Sequence, residues 1–319
     1  TADNNTAIGT STLSANTTGA GNTALGKDAL AANTTASNNT AVGFDSLTAN
    51  TTGASNNALG YASLYANTTG ANNVAIGNSA MESNTTGGSN TAVGKAALYA
   101  NTTASNNTAV GSSALNANTT GTQLVAVGKS ALAANTTASN NLFIGLEAGH
   151  DITTQSSSVY IGHVAGTNVT SGGVEMVAIG YAAMGLGIAT GDSNTCVGAF
   201  SGYDITGGRQ NTLIGQRVGE NITTGLRNTG VGAGALDATT TGGYNTGIGM
   251  DALTANTTAS NNTAVGYAAL TANTTGTPNT ALGYNAGGAI TTGGQNITIG
   301  KDSGDNITTG SQNICIGND

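Results

Sequence analysis

NTAVGSSALNANTTGTQ, residues 107–123, is one period of a unit that runs through nearly the whole chain. Its Val110-Gly111 pair recurs as Ile8-Gly9, Leu25-Gly26, Val42-Gly43, Leu59-Gly60, Ile76-Gly77 and Val93-Gly94, and onward to Ile316-Gly317. The interval is 17 residues almost throughout; only those ending at Gly180 and Gly198 stretch to 18, giving 19 anchor glycines in all. Seventeen residues are too few for a pair of helices, and recurring Asn-Thr-Thr-Gly segments break helical propensity. One period therefore reads as one coil of a parallel β-solenoid, its short strand pairing with copies in the coils before and after. The expected fold class is all-β, a single continuous solenoid over residues 1–319 with about 19 coils and no separate caps.

Composition narrows the alternatives. The chain has 50 Gly, three Phe, no Trp and 7% charged residues, so it offers neither a large aromatic core nor a solvating charged tail. A single Pro fits continuous backbone pairing, which Pro would interrupt. The net charge of −8 is spread thinly, and no basic cluster is present that would neutralise phosphates, so nucleic acid is not expected as a partner. No apolar run is long enough to cross a bilayer, and direct membrane insertion is not expected.

Within the strand, side chains alternate between faces. The residue before the anchor is always Val, Ile or Leu, and the residue two places earlier is Thr or aliphatic, as in Val74 and Ile76. These two are expected to face the interior. The residue between them is mostly Ala, with Phe143, Tyr160, Cys196 and Leu213 as larger exceptions; this stripe is expected to face outward and to pack against another chain. Four residues after the anchor most coils carry Leu or Met, as at Leu30, Leu98 and Met184, and seven after it they carry Asn. In six coils the first position becomes Gly (149, 166, 202, 219, 287 and 304), while the second becomes Ile152, Val169, Ile205, Ile222, Ile290 and Ile307. One bulky aliphatic replaces another, which implies a shared slot of nearly constant volume.

The strands Asn-Thr-Ala-Val-Gly and Asn-Val-Ala-Ile-Gly resemble the head repeats of trimeric autotransporter adhesins. The longer unit with Ala-Leu-x-Ala-Asn-Thr-Thr-Gly resembles repeats of bacteriophage tail fibres, and the resemblance covers residues 5–317. It implies a left-handed parallel β-roll, a homotrimer, an extracellular location on a bacterial cell surface or a virion tail fibre, and an attachment role. The period here is longer than the commonest adhesin-head repeat, and stalk heptads are absent.

Reactive chemistry is sparse. His150 and His163 lie in adjacent coils without ligand spacing, and Asp151, Asp204 and Asn221 share a corner position but not a calcium-repeat pattern. Cys196 and Cys315 are seven coils apart, too far for a disulfide within the chain. Ten Asn-Thr-Thr triplets match the glycosylation pattern but read as turns. No catalytic, cofactor-binding or metal residues are expected, and no cofactor. The candidate contacts for a host-surface glycan are Tyr61, Tyr65, Tyr99, Tyr181, Tyr267 and Tyr284, whose rings combine an apolar body with a polar tip. The expected function is a non-enzymatic structural and adhesive fibre segment that displays or spaces a surface for a glycan or protein receptor. The alternative, drawn from the Thr17-Thr18, Thr34-Thr35 and Thr51-Thr52 ladders, is an ice- or crystal-binding solenoid.

Overall fold

Three residues of each period are extended, and the remainder is turn. The computed structural model describes residues 2–169, 173–186 and 190–318; Thr1, 170–172, 187–189 and Asp319 of the expected run lie outside the described residues. The chain is all-β, with no helix among the described residues, and its coils stack as a parallel β-solenoid. Contacts divide it into two compact units, residues 1–157 and 158–319. The first holds nine strands, from Thr6–Ile8 to Leu142–Ile144, and the second ten, from Val159–Ile161 to Ile314–Ile316.

Within each unit every strand pairs in parallel with the next, residue for residue. Thr91 stands opposite Thr108, Ala92 opposite Ala109 and Val93 opposite Val110. The register also survives the 18-residue periods, where Val177 stands opposite Thr195. Pairing continues through the turns, because Leu98 N–H donates to the Ala114 carbonyl (2.9 Å) and Thr68 N–H to that of Thr85 (2.9 Å). The backbone's hydrogen-bonding demand is thereby met between coils rather than within them.

The anchor glycine has a steric cause. Gly94 has φ +137, a region that L side chains rarely adopt, and a Cβ there would lie 2.5 Å from the Gly111 carbonyl oxygen. Successive coils therefore approach at a point where only hydrogen fits.

The strand faces are the reverse of the sequence expectation. Ala41, Ala75, Ala92 and Ala109, the middle residues, have no exposed surface. Their neighbours point outward: Leu25, Leu59, Ile76, Ile214, Ile248 and Leu282 are exposed large hydrophobics. In most coils the space that the strand's middle residue would enter is filled by the buried Leu or Met four after the anchor, so only a small residue fits between them. The strand's middle side chain reaches toward the residue four after the anchor, so Ala and Leu share one space. Where that residue is Gly219, a Cβ would already lie 3.0 Å from Leu213 and 2.6 Å from Ile222 Cδ1. At Gly149 it would lie 2.2 Å from the Phe143 ring. The expected constant-volume slot therefore exists, and the strand's middle residue belongs to it: Phe143, Tyr160, Cys196, Leu213 and Thr298 all occur in coils of the Gly type.

Much of the remaining interior is amide. Asn67, Asn84, Asn101 and Asn118 are fully buried, and each Nδ2 donates to the Oδ1 of its counterpart one coil earlier. The same Nδ2 closes its own corner, as from Asn84 to the Gly87 carbonyl at 3.0 Å. A second row, four residues before the anchor, links coils through the backbone, as when Asn39 N–H donates to Asn22 Oδ1 at 2.9 Å. The first row stops wherever an aliphatic replaces its Asn. Asn135 Oδ1, facing the coil of Ile152, and Asn273 Oδ1, facing the coil of Ile290, are buried without a hydrogen-bond partner.

Candidate functional site

A residue directly after an anchor glycine leaves the strand at a corner and points away from the interior. Repetition places such residues one above another at the strand spacing, roughly 4.8 Å, which is close enough for rings to stack. Tyr61, Tyr65, Tyr99, Tyr181, Tyr267 and Tyr284 are all exposed. Tyr267 and Tyr284 stack with ring centroids 5.1 Å apart and planes 14° from parallel, and Lys301 lies 5.8 Å from the Tyr284 ring centre. In the first unit, Tyr61 stacks on Phe44 (5.7 Å, 4°), whose other neighbour is the Lys27 ammonium at 5.0 Å. These are two three-membered ladders of rings closed by a cation, an arrangement that favours the ammonium over the ring face.

Tyr181 belongs to a different cluster. It meets Phe200 edge-on (5.2 Å, 82°), Phe200 meets Tyr203 likewise (5.5 Å, 73°), and His163 lies 5.5 Å from Tyr181. Tyr181, Phe200, Tyr203 and Asn168 line a cleft of about 210 Å³. Tyr65 and Tyr99 stand five residues after their anchors, two coils apart. The structure thus brings Tyr267 and Tyr284 together, places Tyr61 and Tyr181 in separate aromatic groups, and does not gather the six into one site. Phe44, Phe200, Lys27 and Lys301 were missed by sequence reasoning. Aligning the residues that follow successive anchors would have shown Lys27-Phe44-Tyr61 and Tyr267-Tyr284-Lys301 as continuous columns.

The exposed aliphatic rows form a second surface. The Ala stripe assigned to chain association lies inside the coil, so that assignment is corrected; the outward Val, Ile and Leu side chains are the apolar face the strands present. It carries no charged residue, since strand positions are Thr, Asn, Val, Ile or Leu on that side.

The remaining polar candidates turn to local partners. His150 Nδ1 lies 2.6 Å from Asp151 Oδ1, and Asn221 Nδ2 donates to the Asp237 carbonyl at 2.8 Å. Burial, and then the Glu220 charge, hold the Asp204 carboxyl above its usual range. Among the described residues no group of three or more His, Cys, Asp and Glu converges as a metal site, and no helix is long and apolar enough to cross a membrane. Cys196 and Cys315 are free thiols; burial pushes Cys196 up to about 12, against a smaller lowering from Ser201. In the Thr pairs, the first hydroxyl is engaged by the next coil, as Thr51 Oγ1 donates to the Thr68 carbonyl (3.1 Å), while the second Thr is exposed.

No family model matches this chain, and neither a curated protein nor a solved structure matches it.

Proposed function

We propose that this chain is a segment of a non-enzymatic structural and adhesive fibre that works as a homotrimer outside the cell, on a bacterial surface or a virion tail fibre. The observation that carries the reading is the row of outward aliphatic side chains, exposed or half-buried, one or two per coil, on a strand face that carries no charge within either unit. Soluble single chains rarely leave large contiguous apolar patches in water, and such patches mark association surfaces. Burying the outward Ile, Leu or Val against a second copy adds, coil after coil, part of the roughly 1.5–3 kcal/mol that full burial of such a side chain is worth. The resemblance to adhesin-head and tail-fibre repeats supports three chains and an attachment role. The aromatic columns then remain on the outside, where repeated weak contacts to a glycan or protein receptor gain strength through multivalency.

Native mass spectrometry and sedimentation test the association. The expected result is three chains, with Leu59→Asp and Ile76→Asp shifting the population toward one chain; a single chain at all concentrations refutes it. Adhesion of the purified protein to bacterial or host surfaces tests the second half. The ice-binding alternative draws on the exposed second Thr of the Thr-Thr pairs, such as Thr35 and Thr52, and thermal hysteresis of a dilute solution separates it from adhesion.

A further inference from the structure

The chain's three arginines, Arg209, Arg217 and Arg227, fall in adjacent coils of the second unit. Arg217 is committed, since its Nε lies 2.5 Å from Glu220 Oε2 and its Nη2 lies 3.5 Å from Asp237 Oδ2. Arg209 and Arg227 have no carboxylate partner among the described residues. Asp192, which occupies the position of Arg209 one coil earlier, accepts from the Val174 N–H instead (3.1 Å). Two unneutralised guanidinium groups thus share one corner of a chain whose net charge is −8.

The corner is built by backbone stacking. Gln210, Arg227 and Tyr244 hold the same place in three successive coils, five residues before the anchor, each with φ between +56 and +60. Arg227 N–H donates to the Arg209 carbonyl and Tyr244 N–H to that of Leu226, both at 2.9 Å. Elsewhere this left-handed position mostly carries Asn or Ser, as at Asn38, Ser55, Asn72 and Ser89, small residues that tolerate it. Arg and Tyr have no such conformational reason to be there. Arg227 is held in place: its Nε donates to Gln210 Oε1 (2.8 Å), its Nη1 to the Tyr244 hydroxyl (3.0 Å), and its guanidinium carbon lies 5.4 Å from the Tyr244 ring centre. Together with Gly207, these residues and Leu226 line a cleft of about 370 Å³, within the range of roughly 300–1,000 Å³ common for small-ligand sites.

The geometry points to a binding site for an acidic saccharide, a sugar unit bearing a carboxylate. The guanidinium donors of Arg209 and Arg227 suit a carboxylate's paired oxygens, the exposed Tyr244 ring offers a flat apolar face to the C–H side of a pyranose, and Gln210 supplies an amide for hydroxyls. The inference names a ligand class for the adhesive reading and rests on it for its biological use. Every residue comes from one chain, so the site is testable whether or not three copies assemble.

Calorimetric titration of the full chain at fixed ionic strength, with an oligogalacturonate, a neutral oligoglucoside and inorganic phosphate, tests it. Saturable binding of the oligogalacturonate alone is expected. Arg209→Gln and Arg227→Gln each weaken it by about tenfold, the equivalent of one charge-assisted hydrogen bond. Tyr244→Ala weakens it as well, and Arg217→Gln leaves it unchanged. Arg209 is exposed and its side chain donates no hydrogen bond among the described residues, so its variant separates lost binding from lost folding. Absence of binding, equal binding of the neutral sugar or of phosphate, or an Arg209→Gln variant that binds undiminished overturns the proposal.

Discussion

The buried amide row yields a prediction in which one substitution is made at two places with different consequences. Asn84→Ala removes a side chain that donates to Asn67 Oδ1 (2.8 Å) and accepts from Asn101 Nδ2 (2.8 Å). Asn101 keeps a bond to the Ala104 carbonyl, and the Gly87 carbonyl keeps its donor from Asn73. Asn67 Oδ1, however, is left buried with nothing to accept. Asn273→Ala similarly strands Asn256 Oδ1, which now accepts from Asn273 at 3.3 Å, and leaves the Gly276 carbonyl its donor from Asn262, but it also removes the Asn273 Oδ1 that already lacks a partner. The number of stranded acceptors rises by one in the first case and is unchanged in the second. Leaving a buried acceptor unpaired costs about 1–3 kcal/mol, so Asn84→Ala should destabilise its surroundings by that much more than Asn273→Ala. Repeat arrays do not always unfold in one step, so the comparison is best made locally, by native-state hydrogen exchange of the coils flanking each site. Equal losses of protection, or a larger loss for Asn273→Ala, would refute the account of the row as a chain of amide bonds ending at Ile290.

Three further outcomes follow from the packing. Ile76→Ser, on the exposed face, should change the single chain's stability by no more than about 0.5 kcal/mol, whereas Ala75→Leu, its buried neighbour, should cost about 1–3 kcal/mol or more by overpacking; thermal unfolding at low protein concentration distinguishes them. Gly219→Leu should be less damaging when combined with Leu213→Ala than alone, with a coupling of about 0.5–3 kcal/mol in a double-mutant cycle, because the two side chains share one space. The Cys196 thiol should resist alkylation in the folded chain. Since its folded pKa is raised to about 12 from 9.0, its contribution is intact below pH 9 and is lost as pH climbs toward 12; Cys196→Ala should flatten that alkaline fall in urea midpoint.

Periodicity was fully legible in the sequence, because the Val-Gly, Ile-Gly or Leu-Gly anchor marks each coil and fixes the parallel register that the strands adopt. The exchange between Leu at the position of Leu115 and Ile at the position of Ile152 was legible too, since both fill buried space. The direction of the strand faces was not. The usual expectation sends the largest aliphatics inward, but the strand's middle residue and the residue six later share one space, and Ala109 must be small because Leu115 is not. The signal was present in the coupling of Phe143 to Gly149 and of Leu213 to Gly219, where the strand residue grows as its opposite shrinks. The aromatic columns were half visible: Tyr residues stood out by type, while Phe44, Lys27 and Lys301 emerge only when coils are aligned vertically. The corner of Arg209, Arg227 and Tyr244 depends on the same alignment and on a count of which arginines are already paired.

The bonds of the amide row each join a residue to its equivalent 17 positions away, which bears on how such a chain changes length over generations. In-frame recombination that excised residues 61–77 would bring Asn84 directly against Asn50 and Asn90 against Asn56, and both rows would close without a scar. The same excision across a transition such as Asn135 to Ile152 would shift or duplicate a stranded oxygen. Gains and losses of coils should therefore accumulate inside the uniform runs, and the transitions should stay where they are.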